Sequence, residues 1–211
     1  PAQSTAMADQ KSPELVFVTG ASGFIAGHII AVLLQRGYRV RGTVRSLENA
    51  HTKYKYLYDL DHHNLLELTL ADLGDNEEKW TQLISDADYV IHTANPMPDR
   101  DTYGNRRLPD SAFSDVVVPA MANILNACAR NKKLKRFVYT SSTAALGDSQ
   151  PGNGVLNELT PATWQDLDTP NVGAYAKSKT RAEQQMWRFV KEHANEISWS
   201  ATSVNPGVVI G

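Results

Sequence analysis

Two side chains that could move a proton together stand four residues apart, Tyr175 and Lys179. On a helix, residues i and i+4 lie on one face. A phenol has an ordinary pKa of about 10, and an adjacent ammonium typically lowers such a pKa by about 1–3 units. A phenol tuned in this way can donate a proton to a carbonyl oxygen while a hydride reaches the carbon. The alternative is a packed tyrosine beside a surface lysine that pairs with Glu183.

A serine hydroxyl that could hold the same oxygen follows a short apolar segment, in Tyr139-Thr140-Ser141-Ser142-Thr143. Hydrogen-bond donors aimed at a developing oxyanion are a large source of catalysis. If that segment is a strand of a parallel sheet, the serine lies at the carboxyl end, where such sheets hold their ligands. The combination is more specific than the Tyr–Lys pair alone.

A glycine-rich turn covers residues 19–27, with the sequence Thr-Gly-Ala-Ser-Gly-Phe-Ile-Ala-Gly. Glycines allow a tight turn and let backbone N–H groups approach a pyrophosphate, and the following helix offers its positive end to the anion. Ala26 fills the third small position, where helix and strand pack closely. The context, between an apolar run and a helical pattern, favours a dinucleotide site over a plain turn.

The second strand ends in Val44-Arg45-Ser46. A carboxylate at this point is typical of NAD sites, whereas a nearby arginine accommodates the 2′-phosphate of NADP. No carboxylate occurs from Tyr38 to Leu47. We interpret Arg39 and Arg41 as solvated strand residues and predict that Arg45 binds the 2′-phosphate. A surface role for Arg45 is the alternative.

Strand and helix patterns alternate along the whole chain. Ile25, Ile29, Val32 and Leu33 fall at helical spacing after the glycine turn. The predicted strands are 15–18, 38–44, 65–70, 89–91, 137–139 and 201–204, and the predicted helices follow the turn and cover 47–58, 77–84, 116–131 and 175–194. Residues 95–111 and 149–171 read as loops. The pattern predicts an α/β fold, a doubly wound parallel sheet of Rossmann type in the order 3-2-1-4-5-6 with helices on both faces.

Length and composition fit one globular domain. The chain has 211 residues, a net charge of −2 and a single cysteine. We expect residues 1–12 to be a disordered arm or a vector remnant, with Met7 as a natural start, and 13–211 to be one domain. No basic stripe and no long apolar run occurs, so neither nucleic acid nor a membrane is expected as a partner. The cysteine count fits a reducing, cytoplasmic location.

Together these motifs resemble the extended short-chain dehydrogenase/reductase family, within the NAD-dependent epimerase/dehydratase superfamily. The resemblance is strongest to the branch of dihydroflavonol reductase, cinnamoyl-CoA reductase and yeast-type aldehyde or ketone reductases. It covers 14–211, and its further elements are Asp72-Leu73, Ile91-His92-Thr93-Ala94, the serine pair and Asn205-Pro206-Gly207.

The resemblance implies reduction of a small-molecule carbonyl by NADPH, with a homodimer possible. It implies that Ser142 is the catalytic serine beside Tyr175 and Lys179, with Lys179 also bound to the nicotinamide ribose. The implied cofactor residues are Thr19, Gly20, Ser22, Gly23, Phe24, Ile25, Arg45, Asp72, Leu73, Thr93, Ala94, Thr140, Tyr175, Lys179 and Pro206.

The sequence departs from the family at three points. Ala26 stands where glycine is usual, and the helix around Pro119 looks one turn shorter. Family members also continue well beyond the residue that matches Gly211, so the substrate region is expected to be missing, in a fragment or a natural short form. Two other functions therefore stay open: an NAD-dependent nucleotide-sugar epimerase or dehydratase, and a non-catalytic dinucleotide sensor.

Two further clusters invite a functional reading. Asp61-His62-His63 contains metal-ligating side chains, but three adjacent loop residues rarely converge on one ion, so a solvated loop is preferred. Arg100, Arg106 and Arg107 follow the fourth strand and could meet an anionic substrate; here too a solvated loop is preferred.

Overall fold

The computed structural model describes residues 12–96, 111–146, 164–168 and 172–210. It contains one parallel sheet in the order β3-β2-β1-β4-β5-β6. The strands are β1 (Leu15–Thr19), β2 (Arg39–Val44), β3 (Leu66–Leu70), β4 (Tyr89–His92), β5 (Arg136–Thr140) and β6 (Ser200–Val204). The order predicted from the sequence is confirmed, and it places a crevice between β1 and β4, where the winding reverses.

The helices cross from strand to strand as the pattern predicted. They are α1 (Phe24–Gln35), α2 (Ala50–Lys53), α3 (Lys55–Tyr58), α4 (Glu77–Ile84), α5 (Ser111–Arg130) and α6 (Ala174–Glu192), and a 3₁₀ turn covers Thr143–Ala145. The predicted helix over 47–58 is thus two short helices that meet at Tyr54. Of the predicted arm, residues 1–12, all but the last lie outside the described residues.

Two apolar layers cover the two faces of the sheet. Because side chains alternate along a strand, Phe17 faces one layer while Val16 and Val18 face the other. The first layer is built on α4, α5 and α6 around Trp80, Met121, Ile124, Leu125 and Met186. The second is built on α1 and α3 around Ala26, Ile30, Leu34 and Leu57. The sheet therefore lies between two packed layers.

The buried face of α1 differs from the sequence pattern by one residue. Its buried side chains are Ala26, Ile30 and Leu34, whereas Val32 is 44% exposed. Residues 24–34 are apolar on nearly every side, so periodicity alone selects no face. The face that contains Ala26 is buried, because this small side chain lets the first turn of the helix approach the sheet.

Helix α5 begins five residues earlier than predicted, and Pro119 therefore lies inside it and not in its first turn. An interior proline removes one helical hydrogen bond and costs stability. Phe113 and Val117, both 2% exposed, pack into the interior ahead of the proline. Burial of these side chains explains why the helix extends through residues that the sequence assigns in part to a loop.

Candidate functional site

A cleft of about 1230 Å³ opens along the carboxyl ends of the strands. All the residues predicted to bind the cofactor or to catalyse line it, except Thr19. They are Gly20, Ser22, Gly23, Phe24, Ile25, Arg45, Asp72, Leu73, Thr93, Ala94, Thr140, Ser142, Tyr175, Lys179 and Pro206. Residues spread over most of the sequence thus meet at one edge of the sheet.

The glycine turn is held against β2 and β4. Gly20 has a φ of +69°, which favours glycine, and a Cβ there would lie 3.0 Å from Ala94 Cα. The N–H of Gly20 donates to Thr43 Oγ1 at 3.0 Å, and the N–H of Ala21 donates to the Thr43 carbonyl at 2.8 Å. Sequence reasoning missed Thr43, whose only signal is a hydroxyl near the end of the second predicted strand.

The amino end of α1 faces the cleft with free backbone donors. The helix begins at Phe24, and its N-cap, Gly23, has no side chain to bond the first-turn N–H groups. No acidic side chain occupies that turn either. Uncapped N–H groups and the helix dipole together make a binding site for an anion such as a phosphate. Tyr56 steadies the turn from outside, since its hydroxyl donates to the Ser22 carbonyl at 3.1 Å.

Arg41 on β2 and Arg45 directly after β2 have different surroundings. Arg41 is not simply solvated as expected: its guanidinium pairs with Asp86 at 2.6 Å and Glu67 at 3.1 Å. Arg45 is exposed at the edge of the cleft and forms no ion pair within the described residues. Of the two, only Arg45 is available to an anionic ligand.

Lys179 is buried, with 3% of its surface exposed, so the alternative of a surface lysine is excluded. Its Nζ donates to the Thr140 carbonyl at 2.8 Å and lies 5.0 Å from the centre of the Tyr139 ring. Burial lowers the pKa of Lys179 to about 8, and the negative charge of Glu183 opposes that effect. The ammonium is thus fixed at the end of β5, beside the serine turn.

Ser142 and Tyr175 lie at the starts of two helical segments on the cleft. Ser142 caps the 3₁₀ turn, where its Oγ accepts the N–H of Ala144 at 3.1 Å. An accepting hydroxyl keeps its own hydrogen free to donate. Tyr175 is the second residue of α6, one turn before Lys179, and its ring meets the edge of Phe113 with 6.1 Å between centroids. The helix therefore presents the phenol and the ammonium to one cleft.

Thr19 acts inside the protein and not on the cleft surface. Its Oγ1 accepts the N–H groups of Thr93 and Ala94, each at 3.0 Å, so its own hydrogen goes to His92 Nδ1 at 2.8 Å. His92 is fully buried, and burial lowers its pKa to about 3, which keeps the imidazole neutral. This cluster fixes the end of β4 against β1. Sequence reasoning named His92 as part of the segment 91–94 but gave it no role.

The remaining clusters carry structural roles. Asp61 accepts the N–H groups of Leu65 and Leu66 at 2.9 and 2.8 Å, so it closes the turn before β3. Within the described ranges no group of acidic, histidine or cysteine side chains could hold a metal ion. Arg100, Arg106 and Arg107 lie outside the described residues. Among the helices that the structure describes, none has the length and apolar character needed to span a membrane.

A parallel sheet of this order, with a glycine turn after β1 and a cleft at the reversal point, defines a Rossmann-type domain. The chain belongs to the NAD dependent epimerase/dehydratase family, whose model matches residues 16–211. This confirms the family that the sequence motifs indicated.

Individual relatives agree with this assignment. Cinnamoyl-CoA reductase of Medicago truncatula is 35% identical over 97% of this chain and 60% of its own length. Dihydroflavonol 4-reductase of Arabidopsis thaliana is 35% identical over 97% of this chain and 51% of its own length. The crystal structure of yeast methylglyoxal/isovaleraldehyde reductase complexed with NADPH has a TM-score of 0.76 and 28% identity over 93% of this chain and 58% of that one. The chain therefore spans about half to three fifths of these relatives.

Proposed function

We propose that this chain is the cofactor-binding part of an NADPH-dependent reductase that converts an aldehyde or ketone to an alcohol. The observation that supports this most strongly is one cleft lined by the glycine turn, Arg45, Ser142, Tyr175 and Lys179. The related reductases named above support the same reaction class, and one of them was solved with NADPH.

The residues of the cleft fit a phosphorylated dinucleotide. The uncapped start of α1 offers N–H donors to a pyrophosphate, and the glycine turn before it lines the same cleft. At the end of β2, exposed Arg45 stands where a carboxylate would favour NAD. That feature favours a reductase using NADPH over the alternative of an NAD-dependent epimerase or dehydratase. Asp72 and Leu73, on the same cleft, would flank the adenine.

Each catalytic residue has a distinct role in this proposal. A reduced nicotinamide, when bound, supplies the hydride. Tyr175 donates the proton that the carbonyl oxygen takes up, and the Ser142 hydroxyl donates a hydrogen bond to that oxygen. Lys179 supplies a positive charge one helical turn from Tyr175 and is close enough to the cleft to bond a ribose hydroxyl.

Cofactor titration tests the first part of the proposal. Intrinsic fluorescence of the chain, with four tryptophans, should report saturable binding of NADPH and weaker binding of NADH. Consumption of NADPH with a panel of aldehydes and ketones then tests the reaction. Tight binding without turnover would support the sensor alternative or a need for further substrate-binding residues. Equal or stronger binding of NADH would contradict the assignment of Arg45.

Tyr175→Phe tests the proton donor. Removing a general acid typically costs about 10²–10⁴-fold in rate, whereas NADPH binding should stay close to that of the parent. Tyr38→Phe is the matched control, because Tyr38 precedes β2 at the opposite, amino end of the strands. Unchanged turnover in Tyr175→Phe would remove this residue from the mechanism.

A further inference from the structure

A buried carboxylate lies directly behind the proposed catalytic residues, and the mechanism above does not use it. Glu183, on α6, is 3% exposed. Its Oε2 accepts hydrogen bonds from Ser141 Oγ at 2.5 Å and Asn205 Nδ2 at 2.8 Å, and its Oε1 lies 3.5 Å from Trp187 Nε1. A buried carboxylate is costly unless it is well bonded. The number and quality of these bonds indicate a built environment for a charged group.

The carboxylate joins the two turns that shape the substrate end of the cleft. Ser141 immediately precedes Ser142, and Asn205 Nδ2 also donates to the Ser142 carbonyl at 3.1 Å. A backbone hydrogen bond joins the same two segments, from the Ser141 N–H to the Val204 carbonyl at 2.8 Å. Glu183 therefore fixes the loop after β5, which contains Ser142, against the loop after β6.

The same carboxylate is the one negative charge among the described residues that raises the pKa of Lys179. The other titratable groups facing Lys179 are Tyr175 on α6, Tyr139 on β5 and His92 on β4. Burial raises the pKa of Tyr139 and lowers that of His92, so both are neutral near pH 7. Since residues i and i+4 are neighbours on a helix, Glu183 sits one turn beyond Lys179 and opposes the loss of its proton.

We propose that Glu183 is a positioning residue of this site, which holds Ser142 in place through Ser141 and Asn205 and keeps Lys179 charged. The functional meaning of both effects rests on the proposed reductase function. The electrostatic and geometric effects themselves belong to the chain without cofactor and can be measured there.

The test is the titration of Lys179 in the cofactor-free chain, followed by carbon-13 NMR of labelled lysine and assigned with Lys179→Arg. Glu183→Gln keeps hydrogen-bonding capacity but removes the charge, so the Lys179 midpoint should fall by about 1–3 pH units from the parent value. Ser141→Ala removes one hydrogen bond but keeps the charge, so the midpoint should stay near the parent value. In this variant the amide signals of Ser142 and Ala144 should shift and broaden.

Glu192→Gln is the matched control, because Glu192 ends the same helix and is exposed. It should change neither observable. If Glu183→Gln does not fold, Glu183→Asp replaces it. This variant keeps the negative charge but moves it one methylene away from its partners. The Lys179 midpoint should then lie below the parent value, but by less than a neutral variant would produce.

An unchanged Lys179 midpoint in the folded Glu183 variants would overturn the electrostatic part of the proposal. Equal midpoint changes in Glu183→Gln and Ser141→Ala would show a merely structural role. Undisturbed Ser142 amide signals in Ser141→Ala would overturn the positioning part. None of these observations involves NADPH, so a failure of the chain to bind NADPH would contradict the proposed function and leave this inference to its own test.

Discussion

Moving one methyl group from the turn residue Ala21 to Gly42 of β2 should separate the effect of packing strain on the phosphate turn from other effects. Gly42 lies inside β2, next to the turn residue Ala21, which is fully buried. A Cβ added at Gly42 would lie 2.6 Å from Ala21 Cβ and 3.3 Å from Leu68 Cδ2. The second contact is with the end of a flexible side chain, but the first is with a methyl fixed directly to the backbone. Either the strand or the turn must therefore move.

Overpacking of this kind costs about 1–3 kcal/mol, partly offset by about 0.4–1 kcal/mol from the stiffer unfolded chain. We therefore expect Gly42→Ala to lower the free energy of unfolding by about 1–2 kcal/mol, to be measured by urea denaturation with circular dichroism. Because the displaced residue belongs to the turn whose N–H bonds Thr43, the Kd for NADPH should rise as well.

The double variant Gly42→Ala/Ala21→Gly supplies the decisive comparison. It moves the methyl from one side of the contact to the other, so volume is conserved and the two backbone-entropy effects oppose each other. Its stability should return to within about 1 kcal/mol of the parent. Gly207→Ala is a control, since an added Cβ there meets nothing within 4 Å. The reasoning is refuted if Gly42→Ala is as stable as the parent, or if the double variant is no more stable than the single one.

Two further predictions concern charge. Arg45→Ala should weaken NADPH binding by about 10–100-fold, the equivalent of about 1.5–3 kcal/mol for bonds to a charged group, while NADH changes little. Arg39 is exposed at the amino end of β2, so Arg39→Ala should leave the Kd of both cofactors unchanged in fluorescence titrations. Equal weakening of NADPH and NADH binding by Arg45→Ala would contradict the assignment of Arg45 to the 2′-phosphate. Folding lowers the pKa of His92 from an ordinary 6.5 to about 3. Between pH 6.5 and pH 3 the unfolded chain therefore binds one proton more than the folded chain, so the free energy of unfolding falls as the pH falls. The linkage relation gives a loss of about 2 kcal/mol in the free energy of unfolding from pH 7 to pH 5. Urea denaturation at both pH values should show this loss in the parent and a smaller loss in His92→Gln. The same pH dependence in both proteins would disprove the lowered pKa of His92.

Much of this architecture can be predicted from local sequence patterns. The alternation of apolar runs and helical patterns predicts a parallel sheet with right-handed crossovers. The glycine turn after the first strand then points to the strand order of the Rossmann type. The spacing of Tyr175 and Lys179 places them on one helix face wherever that helix packs. Ser142 and Arg45 could be located because each follows a strand, and strand ends meet at one edge of the sheet.

Tertiary structure decided what depends on partners distant in the chain. Arg41 lies on β2 and Arg45 directly follows it, yet only Arg41 is committed to ion pairs, with Asp86 and Glu67, among the described residues. Thr19 was predicted to contact the cofactor, but bonds to residues more than 70 positions away turn its hydroxyl inward. Charge and residue type alone cannot distinguish such cases.

The sequence by itself thus indicated the sheet, its order, the family and most of the residues that meet at the cleft, Thr19 being the exception. Only the folded chain decided which face of α1 is buried, that Pro119 lies inside α5, and that Glu183 is a buried carboxylate and not the partner of a surface lysine. The physical reason is that local patterns encode periodicity and backbone conformation. Burial, hydrogen-bond partners and local charge arise only when segments far apart in the chain come into contact.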